Sequence, residues 1–112
     1  MELKRADGQP VCRCRVATSF LSRFLGLMGR AQLPPGNGLL LPGTSSVHTH
    51  FMRFPIDVVF LDSERRIVSV VKALRPWRLA KAKGATSVLE LAAGECQHLE
   101  LAEGDVLYEV VR

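Results

Sequence analysis

The feature that most constrains this chain is a nearly unbroken apolar run from Ile56 to Leu61, opened by Pro55 and closed by the polar stretch Asp62 to Arg66. Its length suits a strand, and its continuous apolar character requires cover on both faces, so it reads as a central strand. The polar stretch turns the chain into a second β-branched run, Ile67 to Leu74, making the pair a hairpin. Asp57 interrupts the first run. A carboxylate buried there costs roughly several kcal/mol unless it is paired or hydrogen-bonded. Arg53, a cation of the basic loop beyond Leu74, or N–H groups of the Pro55 turn are the expected partners.

The remaining elements follow from spacing. Val11 to Ala17 alternates strictly, sending Val11, Arg13 and Arg15 to one side and Cys12, Cys14 and Val16 to the other, the pattern of a half-buried strand. Thr18 and Ser19 can cap a helix over about residues 19–28, with Phe20, Leu21, Phe24, Leu25 and Met28 on one face and an end near Gly29. Leu39 to Leu41 is a short buried segment, Ser87 to Gly94 another strand, Glu95 to Leu101 a short helix or turn, and Asp105 to Val111 a closing strand. These pieces predict an α+β fold: a compact, mostly antiparallel β domain, barrel-like or sandwich-like, with one helix and a second short one. Residues 1–10 read as an N-terminal extension and 11–112 as one globular domain, the size a 12.4 kDa chain can build around one core.

Charge is segregated. Arg65, Arg66, Lys72, Arg75, Arg78, Lys81 and Lys83 form a basic ribbon without an acid, whereas the segment from Gly84 onward carries Glu90, Glu95, Glu100, Glu103, Asp105 and Glu109 against Arg112. Such a pattern suits contact between the two regions, within or between subunits, at least as well as an anionic partner. Early charges break any signal-peptide core, and no apolar run reaches the length of a membrane span. Cys12, Cys14 and Cys96 do not read as a disulfide framework, so a cytoplasmic protein with reduced thiols is expected. The glycines of Gly26 to Arg30 lack the Lys-Ser/Thr ending of a phosphate loop, and no complete nucleophile triad or metal-ligand array is present.

Four ordered blocks resemble the bacterial and archaeal domain of unknown function 192 family: Arg23 to Arg30, His48 to Asp62, Ile67 to Arg78, and Val88 to Asp105. The resemblance runs from about residue 11 to residue 111. It implies a compact, mostly β domain with one or two helices and a shared surface around Met52 to Asp57, and it brings no established activity. Members commonly carry a Trp-Met-Lys-Asn type segment where this chain has His48 to Phe54.

Two segments gather chemistry. His48, His50, Arg53 and Asp57 lie close along the chain, and if the segment is extended His48 and His50 share a face with Met52. A His-x-His pair can begin a metal site, but a third ligand would have to come from Asp57, Cys96 or His98, so no metal and no cofactor are expected. Trp77, between Arg75 and Arg78, offers an aromatic surface flanked by cations, suited to an anionic ligand. Because antiparallel pairing of the central hairpin returns the chain to its starting end, the Arg75–Arg78 loop is expected beside the His48–Asp57 loop. The leading expectation is a binding module for a small anionic ligand or a protein segment, using His48, His50, Arg53, Asp57, Arg75, Trp77 and Arg78. Nucleic acid is disfavoured, no membrane contact is expected, and self-association is left open. One alternative is a small hydrolase-like enzyme using His48 or His50 with Asp57, with or without a metal. The other is a structural or oligomerisation module.

Overall fold

The computed structural model describes residues 1–17, 33–50 and 52–111. The helix expected over 19–28 lies outside them. Strand β5 (Ile56–Leu61) is buried at every residue, because β6 (Ile67–Leu74) and β8 (Ser87–Ala92) pair antiparallel on its two edges while side chains cover both faces. Next to β8 lie β3 (Asn37–Pro42), then β2 (Pro10–Val16), β1 (Glu2–Arg5) and β9 (Leu107–Glu109), giving a seven-stranded sheet in the order β6-β5-β8-β3-β2-β1-β9. Two further strands, β4 (Ser46–His48) and β7 (Leu79–Lys81), pair with each other as a separate ribbon. Among the described residues one helix is present, the short α1 (Glu95–His98), at the place where a short helix or turn was expected.

The sheet is mixed. β2 and β3 run parallel and the other pairs antiparallel. A parallel pair needs a crossover of a dozen or more residues, and the chain between Val16 and Asn37 is long enough to supply one. β3 also requires Gly38: a Cβ there would stand 3.0 Å from Leu91 Cδ2 and 3.2 Å from both Cys12 Sγ and the Glu90 carbonyl oxygen. The first ten residues, read from sequence as an extension, contain β1, which is hydrogen-bonded between β2 and β9.

Alternation along the strands divides the core in two. Val59, Leu61, Leu89 and Leu91 join Leu40, Cys12, Cys14, Leu107 and Cys96 of α1 on one face. Ile56, Val58, Phe60 and Val88 join Leu39, Leu41, Phe54 and Val47 of β4 on the other, with Ala80 of β7 packed against them. Each fully buried Val, Leu, Ile or Phe side chain contributes about 1.5–3 kcal/mol relative to exposure, so the ribbon is held to the sheet by its apolar side. The expectation of a barrel-like or sandwich-like shape requires correction. The two edge strands approach through one bridge, Arg66 to Val106, flanked by Ile67 N–H to the Asp105 carbonyl at 2.7 Å and Leu107 N–H to the Arg65 carbonyl at 2.9 Å. β6 then continues beyond this bridge, which leaves the sheet open.

Candidate functional site

Pairing of β4 with β7 places His48 opposite Leu79, and the chain then leaves β4 through Thr49 into the turn that holds His50. Thr49 is fully buried and ties this segment to the Arg75–Arg78 turn. Its hydroxyl donates to the Arg75 carbonyl at 2.6 Å and accepts the Arg78 N–H at 2.9 Å. Its own N–H donates to the Arg78 carbonyl at 2.9 Å, and its carbonyl accepts the Trp77 N–H at 3.0 Å. One small side chain with its backbone thus satisfies most of the polar groups of a tight turn, which would otherwise need water.

Held this way, Trp77 adopts φ 64°, the left-handed region, which a bulky residue occupies at a cost of order 1–3 kcal/mol. The indole is not inserted into the core but is 55% exposed. Its ring meets His50 edge-on, with centroids 5.3 Å apart, and His50 lies 5.0 Å from His48. The three rings form a row with His50 in the middle. Arg75 and Arg78 are exposed beside it, and among the described residues neither is paired with a carboxylate. Arg53 is exposed in the bend that leads to Phe54. The loops expected to lie together do so, although the connection runs through a β4–β7 ribbon that the sequence reading treated as loop.

Asp57 belongs elsewhere. It is fully buried, and its oxygens are taken by backbone donors: Oδ1 accepts the Ala73 N–H at 2.8 Å, and Oδ2 accepts the N–H groups of Gly94 at 3.1 Å and Cys96 at 2.9 Å. The first bond fills a gap in the β5–β6 ladder, where the register shifts between Ile56 and Val58 and Ala73 turns left-handed at φ 51°. The other two cap α1, whose own N-cap is Gly94 and has no side chain to offer. Burial and backbone N–H donors match the expectation, but the donors are those of Ala73, Gly94 and Cys96 and not those of the Pro55 turn. An acid/base pair of Asp57 with His48 or His50 is not formed, because the carboxylate sits on the α1 side of the sheet with its acceptors occupied. Beside it, burial and then the Asp57 carboxylate push the Cys96 thiol up to about 12, so it is held protonated. Among the described residues no third His, Cys, Asp or Glu joins the two imidazoles into a metal-holding group.

Two residues of this region escaped the sequence reading. Thr49 gave no signal, since a threonine between two histidines reads as any polar residue. Glu90 does give one: it breaks the apolar run Val88 to Leu91 as Asp57 breaks its own, which sets it apart from the other acids after Gly84. It is fully buried in β8 between Val58 of β5 and Leu39 of β3, on the sheet face that the β4–β7 ribbon covers. The acidic tail is weaker by that charge.

An open mixed sheet with a strand ribbon over one face and a short helix over the other is the fold of known proteins. A crystal structure from Sinorhizobium meliloti 1021, described as a proposed transcription regulator, superposes with a TM-score of 0.81 at 26% identity, covering 96% of this chain and 89% of that one. A protein of unknown function from Novosphingobium aromaticivorans DSM 12444 has the same fold, with a TM-score of 0.81 at 23% identity over 96% of this chain and 82% of that one. The chain belongs to the DUF192 family (Uncharacterized ACR, COG1430), whose pattern it matches over residues 2–108. It is 37% identical over 98 residues to a UPF0127 protein of Thermococcus sibiricus, an alignment covering 83% of this chain and 63% of that protein. A UPF0127 protein of Pyrococcus abyssi is 37% identical over 100 residues, covering 83% of this chain and 82% of its relative. This chain therefore spans less than two thirds of the Thermococcus protein.

Proposed function

We propose that this chain is a binding module for a small anionic ligand, which lies along the His48–His50–Trp77 row. Arg53, Arg75 and Arg78 supply the positive rim. Asp57 takes no part in contact and acts from behind by fixing Ala73, two residues before the rim begins. The observation that carries this reading is the set of Thr49 bonds, because they hold a strained and exposed tryptophan beside two imidazoles where core packing alone would bury it. Exposed arginines next to aromatic faces, without a carboxylate partner among the described residues, suit a carboxylate or phosphate bearing a flat group. The reading includes a reducing, cytoplasmic setting, which the free thiols of Cys12, Cys14 and Cys96 support. Among the described residues no helix is long and apolar enough to cross a membrane.

The test is an amide chemical-shift titration with inorganic phosphate, citrate and adenosine monophosphate. The reading expects at least one probe to move residues 48–53 and 75–78 together and saturably. Shifts confined to other parts of the sheet, or none with all three probes, would overturn it.

A further inference from the structure

Strand β7 presents one edge to β4, and among the described residues no strand pairs with the other. The pairs Thr49–Arg78 and Ser45–Ala82 carry hydrogen bonds at the two ends of the ribbon, so the backbone groups of Arg78, Ala80 and Ala82 face β4 while those of Leu79 and Lys81 face outward. Among the described residues these outward groups find no backbone partner. The two edges of the seven-stranded sheet are treated differently: β6 carries the exposed Lys72 and the left-handed kink at Ala73, and β9 is reached by the bridge to Arg66. Such devices discourage pairing with further strands. β7 has instead a 64% exposed Leu79 on its open edge, and the Val47–Ala80 pair beneath anchors the strand to the core. Arg78, Lys81 and Lys83 surround it, no acid occurs from Arg65 to Lys83, and none of these three cations is in an ion pair among the described residues.

We propose that the open edge of β7 is a docking site for an extended acidic segment of a partner protein, which adds as a third strand to the β4–β7 ribbon. The outward N–H and C=O groups of Leu79 and Lys81 supply the main-chain bonds; their side chains share the face away from the core, so the partner strand sets an apolar side chain beside Leu79 and, two positions along, a carboxylate beside Lys81, while Arg78 and Lys83 receive carboxylates at the two ends. A second copy of this basic ribbon would bring like charges together. A lipid surface would strip water from an amide edge and return no hydrogen bond. A complementary acidic strand satisfies the charges and the amides at once. Arg78 also belongs to the rim of the ligand reading above, but neither imidazole takes part here, so shifts at Leu79 to Lys83 and the behaviour of His50→Ala distinguish the two.

The probe is the peptide acetyl-Glu-Thr-Val-Thr-Glu-Thr-Glu-amide, whose one face carries a valine for Leu79 flanked by carboxylates for the cations, followed by amide shifts and by fluorescence anisotropy of a labelled form. Shifts are expected at Arg78 to Lys83. N-methylation of the central peptide residues, which deletes main-chain donors and keeps charge, is expected to weaken binding at least about tenfold. On the protein side, Lys81→Pro removes an outward N–H that β4 does not use, so it should weaken binding far more than Lys81→Ala, while His50→Ala leaves it unchanged. If Lys81→Pro does not fold, the methylated peptide on the unaltered protein decides the matter. Equal affinity for the methylated peptide, shifts elsewhere, or binding to phosphatidylglycerol vesicles or to duplex DNA without binding to the peptide would overturn the proposal.

Discussion

Asp57 and Thr49 do the same mechanical work with opposite consequences. Each is a fully buried polar residue that holds a turn from another part of the chain through backbone hydrogen bonds. Around Asp57 the result is closed: the buried carboxylate kinks β6, caps α1 and keeps a buried thiol protonated, with no face of its own open to solvent. Around Thr49 the result is open, because the turn it secures carries an exposed tryptophan and two exposed arginines that, among the described residues, pair with no carboxylate. A buried polar side chain in this fold therefore does not mark the site by itself. What it holds, and whether that is covered, separates a structural lock from a working face.

The comparison breaks most readily at Asp57. Replacing it with Ala leaves three backbone N–H groups without their acceptor, that of Cys96 buried and those of Ala73 and Gly94 part-buried, which is expected to lower stability by about 1–3 kcal/mol or more in denaturant unfolding while the His50–Trp77 contact persists in the folded fraction. A variant that melts like the parent would remove the structural role. A similar size of effect is expected from pH. The folded Cys96 thiol titrates near 12 against an ordinary value of 9.0, so above about pH 9 the unfolded chain loses a proton that the folded chain keeps. Stability then falls with rising pH, by about 1.4 kcal/mol for each unit between those values from Cys96, and Cys12, raised by its hydrogen bond with Cys14 and by burial, adds in the same direction; Cys96→Ala should therefore reduce the slope of melts run at pH 8 to 10.5 by the Cys96 share and leave the Cys12 share. Smaller still is the expected change on Trp77→Gly. Relief of the left-handed strain and the greater freedom of glycine in the unfolded chain oppose each other, leaving stability within about 0.5 kcal/mol of the parent. Anion binding, by contrast, should be lost. A large destabilisation would mean that the indole packs as core.

How much of this could be read from the residues depends on the length of the signal. Strands β2, β5, β6 and β8 are long enough for apolar runs or alternation to declare them, and the Ile56 to Leu74 hairpin follows from the polar turn between. β4 and β7 are three-residue strands whose pairing comes from tertiary contact, with Val47 and Ala80 seated on the sheet, and so no local pattern announces them. The parallel pairing of β2 with β3 was likewise invisible, because register between distant segments is decided by the whole sheet. Asp57 was legible as a charge within an apolar run, yet the identity of its donors was not, since backbone N–H groups carry no sequence signature. Glu90 shows the reverse: the same signal was present in Val88 to Leu91, and grouping by charge along the chain hid it. The neighbourhood of His48 and Trp77 followed from hairpin geometry alone, whereas the residue that joins them, Thr49, had to be seen.

Since Trp77 is the only tryptophan in the chain, its fluorescence reports the proposed face without a label. The decisive measurement is a fluorescence titration with the strongest of the three anionic probes on the parent, Thr49→Ser and Thr49→Val, with each variant first shown to unfold cooperatively. Serine keeps the hydroxyl that bonds Arg75 and Arg78, and valine removes it at similar volume. The account predicts near-parental affinity for Thr49→Ser, and for Thr49→Val a loss of about 1 kcal/mol of stability together with at least about a tenfold loss of affinity. Equal affinity in Thr49→Val and the parent would contradict it, because the anion would then be bound by a surface that Thr49 does not hold together.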